Sequence, residues 1–351
     1  MSENLIYGAD ITAYGAVADG KTDCSDAFIK AIENGENLIS VPFGNYVLTK
    51  PLELTSNTKI HLHPNATLVF DFDTDGAVIS AKECSSVIIT GGNWVSIGSS
   101  DAFFGFEDVS YIKISDCNIS GAKGVKLTNC EDVSFKNVSF DIDAECILLR
   151  GETENVTVRN ATSGTSVSFI DIDENAEIED LFVSGVSIAD CNHFLSVYEG
   201  KLENAKFFDV DGDFAQSFVN VEEQGIIESL EFDGVDVYCS HSQKDGVYFD
   251  LRGSIETLEI SDFKRNTDCE AVPFIPTLIF KAKDDSKALI DGMSLDYVIN
   301  ARALSKTIDM TTARLTNPTN KFIYTLECGI KKDDTLTIPL GDFDCLTIYK
   351  K

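Results

Sequence analysis

Along most of the chain apolar and polar residues alternate in short runs, the period-two signature of half-buried strand. The runs repeat. One pattern (apolar, any, apolar, any, small or polar, apolar, any, apolar) starts at Val87, Ile112, Val133, Val156, Leu181, Ala205, Leu230, Leu258 and Ala288, in steps of 21–30 residues. The match loosens where Gly212 and Arg265 fill the last apolar slot. The fifth position holds Gly91, Asp116, Asn137, Asn160, Gly185, Asp209, Gly234, Asp262 and Gly292. These are residue types that tolerate left-handed backbone, so each unit reads as two short strands meeting at a corner.

A third short strand follows in most units, at 124–127, 146–149, 169–172, 194–197, 218–221, 246–249 and 277–280. Three strands per turn predict an all-β fold, a right-handed parallel β-helix (solenoid) in which each coil buries its apolar face against the next. A leucine-rich repeat would carry a Leu consensus and usually a helix per unit. Here Val, Ile, Phe and Thr dominate. A β-sandwich would need hairpin turns every 8–12 residues.

The open ends of a solenoid need covers. Residues 23–34 predict an N-terminal capping helix. Asp23 or Ser25 is its N-cap, Ala27, Phe28, Ala31 and Ile32 form one apolar face, and Gly35 stops it. The coil pattern fades near Ser305, dividing the chain into a β-helix over 1–304 and a small β segment over 305–351. Strands Thr335–Pro339 and Cys345–Tyr349 flank the turn Gly341-Asp342. Such a segment either caps the stack or joins three copies into a homotrimer.

Composition narrows the partners. Against 28 Lys+Arg stand 58 Asp+Glu, a formal net charge of −30, which argues against nucleic acid and anionic membranes. No apolar run reaches the roughly 20 residues that span a bilayer. The ten cysteines form no CxxC or Cys/His cluster, so they read as buried free thiols in a reducing compartment, with no metal or cofactor implied. The N-terminus lacks a basic and apolar leader, which points to a cytoplasmic or phage-associated protein, although a trimmed leader would leave the same sequence. Asp71-Phe72-Asp73-Thr74-Asp75-Gly76 has the first half of a calcium loop, but Lys82 stands where a bidentate Glu belongs, and a solvated turn is the expectation.

The segments Tyr14-Gly15-Ala16, Ala18-Asp19-Gly20-Lys21-Thr22-Asp23, Val41-Pro42-Phe43-Gly44-Asn45-Tyr46 and His63-Pro64-Asn65-Ala66-Thr67-Leu68 resemble the opening of the pectin-lyase-like β-helix superfamily. That superfamily includes polysaccharide hydrolases, lyases and phage tail spikes. The coil Asp143-Ala144-Glu145-Cys146-Ile147 is similar to the "GDDCI" coil of the polygalacturonase-like glycoside hydrolases, family twenty-eight, which implies a catalytic role for Glu145. The other catalytic elements of that family are replaced here by Lys123-Gly124, Val167-Ser168-Phe169 and Leu195-Ser196-Val197-Tyr198.

Strand alternation, with Ile147, Ile170, Val219 and Val247 inward, turns Lys126, Arg150, Asp171, Asp173, Ser196, Tyr198, Asn220, Glu222, Tyr248, Asp250, Arg252 and Lys281 toward solvent. Carboxylates, tyrosines and flanking bases on one strip suit a saccharide. Glycosidic cleavage needs two carboxyl groups, about 5–5.5 Å apart for retention or 6.5–9.5 Å for inversion. Asp171 and Asp173 sit about 6.5–7 Å apart along the strand, and Asp173 and Glu222 about 9–10 Å apart across two coils. The candidate catalytic residues are therefore Asp171, Asp173, Glu222 and Glu145. Tyr198, Arg150, Tyr248, Asp250, Lys126 and His193 are the candidate substrate contacts. Outward acids on an acidic chain are by default solvated surface. Two classes of function follow: a glycoside hydrolase acting on a polysaccharide or oligosaccharide, or a non-catalytic carbohydrate-binding or structural β-helix such as a phage tail protein.

Overall fold

The structure, a computed structural model, describes residues 8–238, 249–266, 278–290, 313–317, 322–326, 335–339 and 345–349. It is a parallel β-solenoid, and it divides into two compact units, 1–148 with 153–166 and 149–152 with 167–351.

The repeat starts read from the sequence are backbone partners. In the first unit Val87 pairs with Ile112, Ile112 with Val133 and Val133 with Val156, all parallel. In the second, Leu181 pairs with Ala205, Ala205 with Leu230, Leu230 with Leu258 and Leu258 with Ala288. Equivalent side chains thus stack along the coils. Val133, Phe135, Val138 and Phe140 are fully buried in one coil, and Leu230, Phe232 and Val235 in another. Each such side chain contributes about 1.5–3 kcal/mol on leaving water. Rings of successive coils stack as well: Phe194 on Phe218 at 4.9 Å, and Phe207 on Phe232 at 4.7 Å.

Seven of the nine expected corners have left-handed φ, from 52° at Asn160 and Asp209 to 78° at Gly91. Asp262 is described only as part of a strand, and Gly292 lies outside the described residues. Polar corner residues also bond each other: Asn137 donates its amide to Asp116 at 2.7 Å, and Asn160 donates to Asn137 at 3.2 Å. A further set of left-handed residues, Asp132, Asn155 and Asp180, falls just before the repeat starts; Asn155 donates to Asp132.

The corners do not cut the ladder as a three-short-strand reading expects. Glu152–Ile172, Glu177–Val197 and Lys201–Val221 each run 21 residues as one strand. A single left-handed residue turns the chain while its neighbours keep their N–H and C=O groups along the stacking direction, so hydrogen bonding survives the bend.

The helix forms at Ser25–Glu33. Ala27, Phe28, Ala31 and Ile32 are buried and rest on the turn Ile11–Tyr14 and the strand Leu52–Leu54. Its N-cap is Cys24, without a side-chain cap bond, rather than Asp23 or Ser25. Asp23 instead accepts from Ser25 N (2.9 Å), Ser25 Oγ (2.6 Å) and Thr49 Oγ1 (2.7 Å), tying the helix start to the neighbouring strand end. Partial desolvation would raise the Asp23 pKa; these hydrogen bonds outweigh it and hold it at about 2. At the other end Gly35 (φ 73°) lets Gly35 N–H reach Ile32 O and Glu36 N–H reach Ala31 O, a Schellman closure.

Toward the C-terminus the parallel ladder continues from Leu278–Ile290 to Ala313–Asn317, which pairs antiparallel with Phe322–Leu326. Thr335–Pro339 and Cys345–Tyr349 form strands where the sequence pattern puts them, and they pair antiparallel. Cys24, Cys84, Cys117 and Cys130 are free thiols. Burial pushes Cys117 up to about 12 and Cys130 up to about 11, so neither is a ready nucleophile.

Two outcomes are expected. Asp23 has a depressed folded pKa, so its contribution is present above the ordinary aspartate value near 4 and lost as pH falls toward about 2. Asp23→Asn should lower the Tm at neutral pH and flatten its decline over that window, as measured by thermal melts across pH. Asn137→Ala, which loses two ladder bonds and strains a left-handed corner, should cost about 1–3 kcal/mol in denaturant titration. Asn137→Gly, which keeps the φ, should cost less.

Candidate active site

The ends of three long strands in the second unit come together. Asp173 N–H donates to Leu149 O, Tyr198 N–H to Ile172 O and Glu222 N–H to Val197 O. In a parallel ladder this sets Arg150, Asp173, Tyr198 and Glu222 side by side on successive coils. Each strand ends in a polar doublet before the chain turns. The doublets Asp173-Glu174, Tyr198-Glu199 and Glu222-Glu223, with Gln224, line a cleft of about 440 Å³. The turn is tight behind them: a Cβ on Gly200 would sit 2.6 Å from Ile172 Cγ2 and 2.8 Å from Asp173 O, so only glycine fits.

The row is held from both sides. The Arg150 guanidinium donates to Asp173 Oδ2 through Nε and pairs with it through its terminal nitrogen. Asn220, nearly buried, donates its amide to Glu222 Oε1 at 3.2 Å and to Ser196 Oγ at 3.5 Å. His193 Nδ1 lies 2.8 Å from Ser217 Oγ and 3.3 Å from the Ser217 carbonyl. A carbonyl only accepts, so Nδ1 carries the proton and Nε2 is left as an acceptor. Burial pushes the His193 pKa down, opposed by hydrogen bonding to Ser217 and Gln216 and by the nearby Glu222 and Asp250 carboxylates. The ring is therefore neutral at physiological pH.

Of the residues expected at the site, Asp173, Tyr198 and Glu222 meet at the cleft and Arg150 adjoins it. Asp171 does not face solvent. It is only 4% exposed, and Ser196, Asn220 and Asp250 in the same register row are buried with it. Small polar side chains stacked at strand spacing shield one another, so the row two residues further on, at the strand ends, is the one open to water. That removes the expected solvent-facing Asp171/Asp173 pair and leaves Asp173 with Glu222. Glu145 and Lys126 belong to the first unit, where Glu145 is half-buried and Lys126 pairs with Asp101. Tyr248 lies outside the described residues, and only the backbone of Arg252 and Lys281 is described.

Sequence reasoning missed Glu174, Glu199, Glu223 and the orienting amide of Asn220. The signal was the Glu that closes the doublet after three successive third strands, Asp173-Glu174, Tyr198-Glu199 and Glu222-Glu223. Among the described residues no three His, Cys, Asp or Glu side chains converge as metal ligands would. In the half calcium loop, Asp73 Oδ1 accepts from Ser99 N and Oγ.

Similar proteins fit this architecture. "Probable rhamnogalacturonase C" of Aspergillus niger is 28% identical over 185 residues, covering 50% of this chain and 38% of that protein. The chain thus spans well under half of that relative's length. A pre-neck appendage protein of Bacillus phage B103 is 41% identical over 54 residues, 15% of this chain and 6% of that protein. An exopolygalacturonase structure from Thermotoga maritima shares the fold with a TM-score of 0.55 at 14% identity, covering 92% of this chain and 94% of that one. The family model "Rhamnogalacturonase A/epimerase, pectate lyase-like" matches residues 9–224. The stacked coils and that match over more than half the sequence give one conclusion: the chain belongs to the rhamnogalacturonase A/epimerase, pectate lyase-like family.

Proposed function

We propose that the cleft binds a saccharide chain and hydrolyses a glycosidic bond between Asp173 and Glu222. The observation that carries this reading is their placement in one row with Tyr198 between them, at the wall of a cleft sized for a small ligand. Two strand spacings separate their backbones by about 9–10 Å. That spacing borders the inverting range of about 6.5–9.5 Å between carboxyl groups, which leaves room for a water. One carboxyl protonates the leaving oxygen and the other activates the water. The ion pair with Arg150 and the amide of Asn220 fix the two groups in direction, which is what positioning a reaction requires. The Tyr198 ring, 38% exposed, offers a face to a sugar ring.

A second reading is a non-catalytic carbohydrate-binding or structural β-helix of phage type. It is favoured by the likeness of a segment of this chain to the pre-neck appendage protein and by the replacement of most family twenty-eight motif residues.

Reducing-sugar release across a polysaccharide panel distinguishes the two. Asp173→Asn and Glu222→Gln should each lower release by about 10²–10⁴-fold with the Tm retained. Tyr198→Ala should weaken substrate binding more than turnover. No release from any glycan, together with a stable trimer in sedimentation, would contradict the hydrolase and support the phage-type protein.

A further inference from the structure

We infer that the saccharide taken by this cleft carries no acidic groups and gains from protonated amines: an amino-sugar chain rather than a polyuronate. The inference rests on the reading of the cleft as a saccharide site and narrows its substrate class. The lining carries five carboxylates, on Asp173, Glu174, Glu199, Glu222 and Glu223. Arg150, beside Asp173 in the row, is engaged with it, and Lys201, just past Glu199, pairs with Glu203 and Glu228. Among the described residues that line the cleft, five are carboxylates and none is a base.

A polyuronate would bring one more carboxylate per sugar into this field. Like charges drawn together in a partly desolvated groove repel more strongly than in bulk water. The net charge of −30 adds to the repulsion at longer range. A protonated amine is attracted by the same carboxylates. It also finds an aromatic face: Tyr198 stands exposed mid-row with acids on either side, the arrangement in which a ring attracts an ammonium group through its quadrupole. Charge and ring thus select the same ligand.

The test is calorimetric titration of the full chain with length-matched oligosaccharides of glucosamine, N-acetylglucosamine and galacturonate, in EDTA, at about 0.01 M and about 1 M salt. The glucosamine oligomer should bind about tenfold more tightly than the N-acetylated one at low salt, the gap closing at high salt, with the galacturonate oligomer weakest. Glu199→Gln with Glu223→Gln should narrow the gap. Asp26→Asn with Glu33→Gln, the same charge change on the exposed face of the helix, should leave it open.

Galacturonate binding as tightly as glucosamine, or amine and N-acetyl forms binding equally at low salt, would overturn the inference while leaving a saccharide site standing. So would equal narrowing by both double variants, because amine binding would then be diffuse attraction to an acidic surface. If none of the three binds, the cleft is not a saccharide site and the inference falls with that reading.

Discussion

The parallel hydrogen-bond ladder between coils is the constraint from which the rest follows. It fixes register, and register turns a position in the repeat into a row in space. Val133, Ile112 and Val87 become one apolar row; Asp116, Asn137 and Asn160 become a hydrogen-bonded corner row; Asp173, Tyr198 and Glu222 become the wall of a cleft. Residues more than 20 positions apart in sequence are brought to about 4.8 Å without a loop or a cofactor to place them. A slip of one residue would send the apolar row to water and break up the polar ones together, because side chains alternate with period two.

Much of this was legible in the sequence for the same reason. Apolar spacing located the repeat starts that pair in register, and Asn, Asp and Gly at the fifth position marked corners whose φ is positive from Gly91 to Gly234. Alternation was less reliable at the third strand. It gave the right row for Asp173, Tyr198 and Glu222 but could not show that Asp171, on the same side, is covered. Burial there depends on side chains from neighbouring coils packing over one another, which no single run of residues encodes. The left-handed residues Asp132, Asn155 and Asp180 were likewise passed over, because they fall between two apolar runs rather than within one. The N-cap was misplaced for a related reason. Asp23 has the chemistry of a cap, but Thr49 on another strand competes for its carboxylate.

The functional reading depends on how charge is distributed along those rows. Arg150 and Asn220 each spend a donor on a carboxylate that would otherwise be free to turn. The neutral imidazole of His193 sits near Glu222 and Asp250 without balancing their charge. On the proposed reading, a cleft with fixed acids and a partly exposed aromatic ring suits a sugar hydroxyl or amine more than an anion. Family membership is compatible with this, since the β-helix supplies rows and each member decides which side chains occupy them.

The register of the row is the claim on which both the site and its chemistry stand, and a disulfide tests it directly. In the double variant Tyr198→Cys with Glu222→Cys, adjacent parallel strands put the two Cα atoms about 4.8 Å apart, within the roughly 4.4–6.8 Å that a disulfide bridges. Mass spectrometry after mild oxidation should find that crosslink in nearly all of the chain, and little in Tyr198→Cys with Glu223→Cys. A crosslink formed preferentially to position 223, or to neither, would contradict the stacking described here.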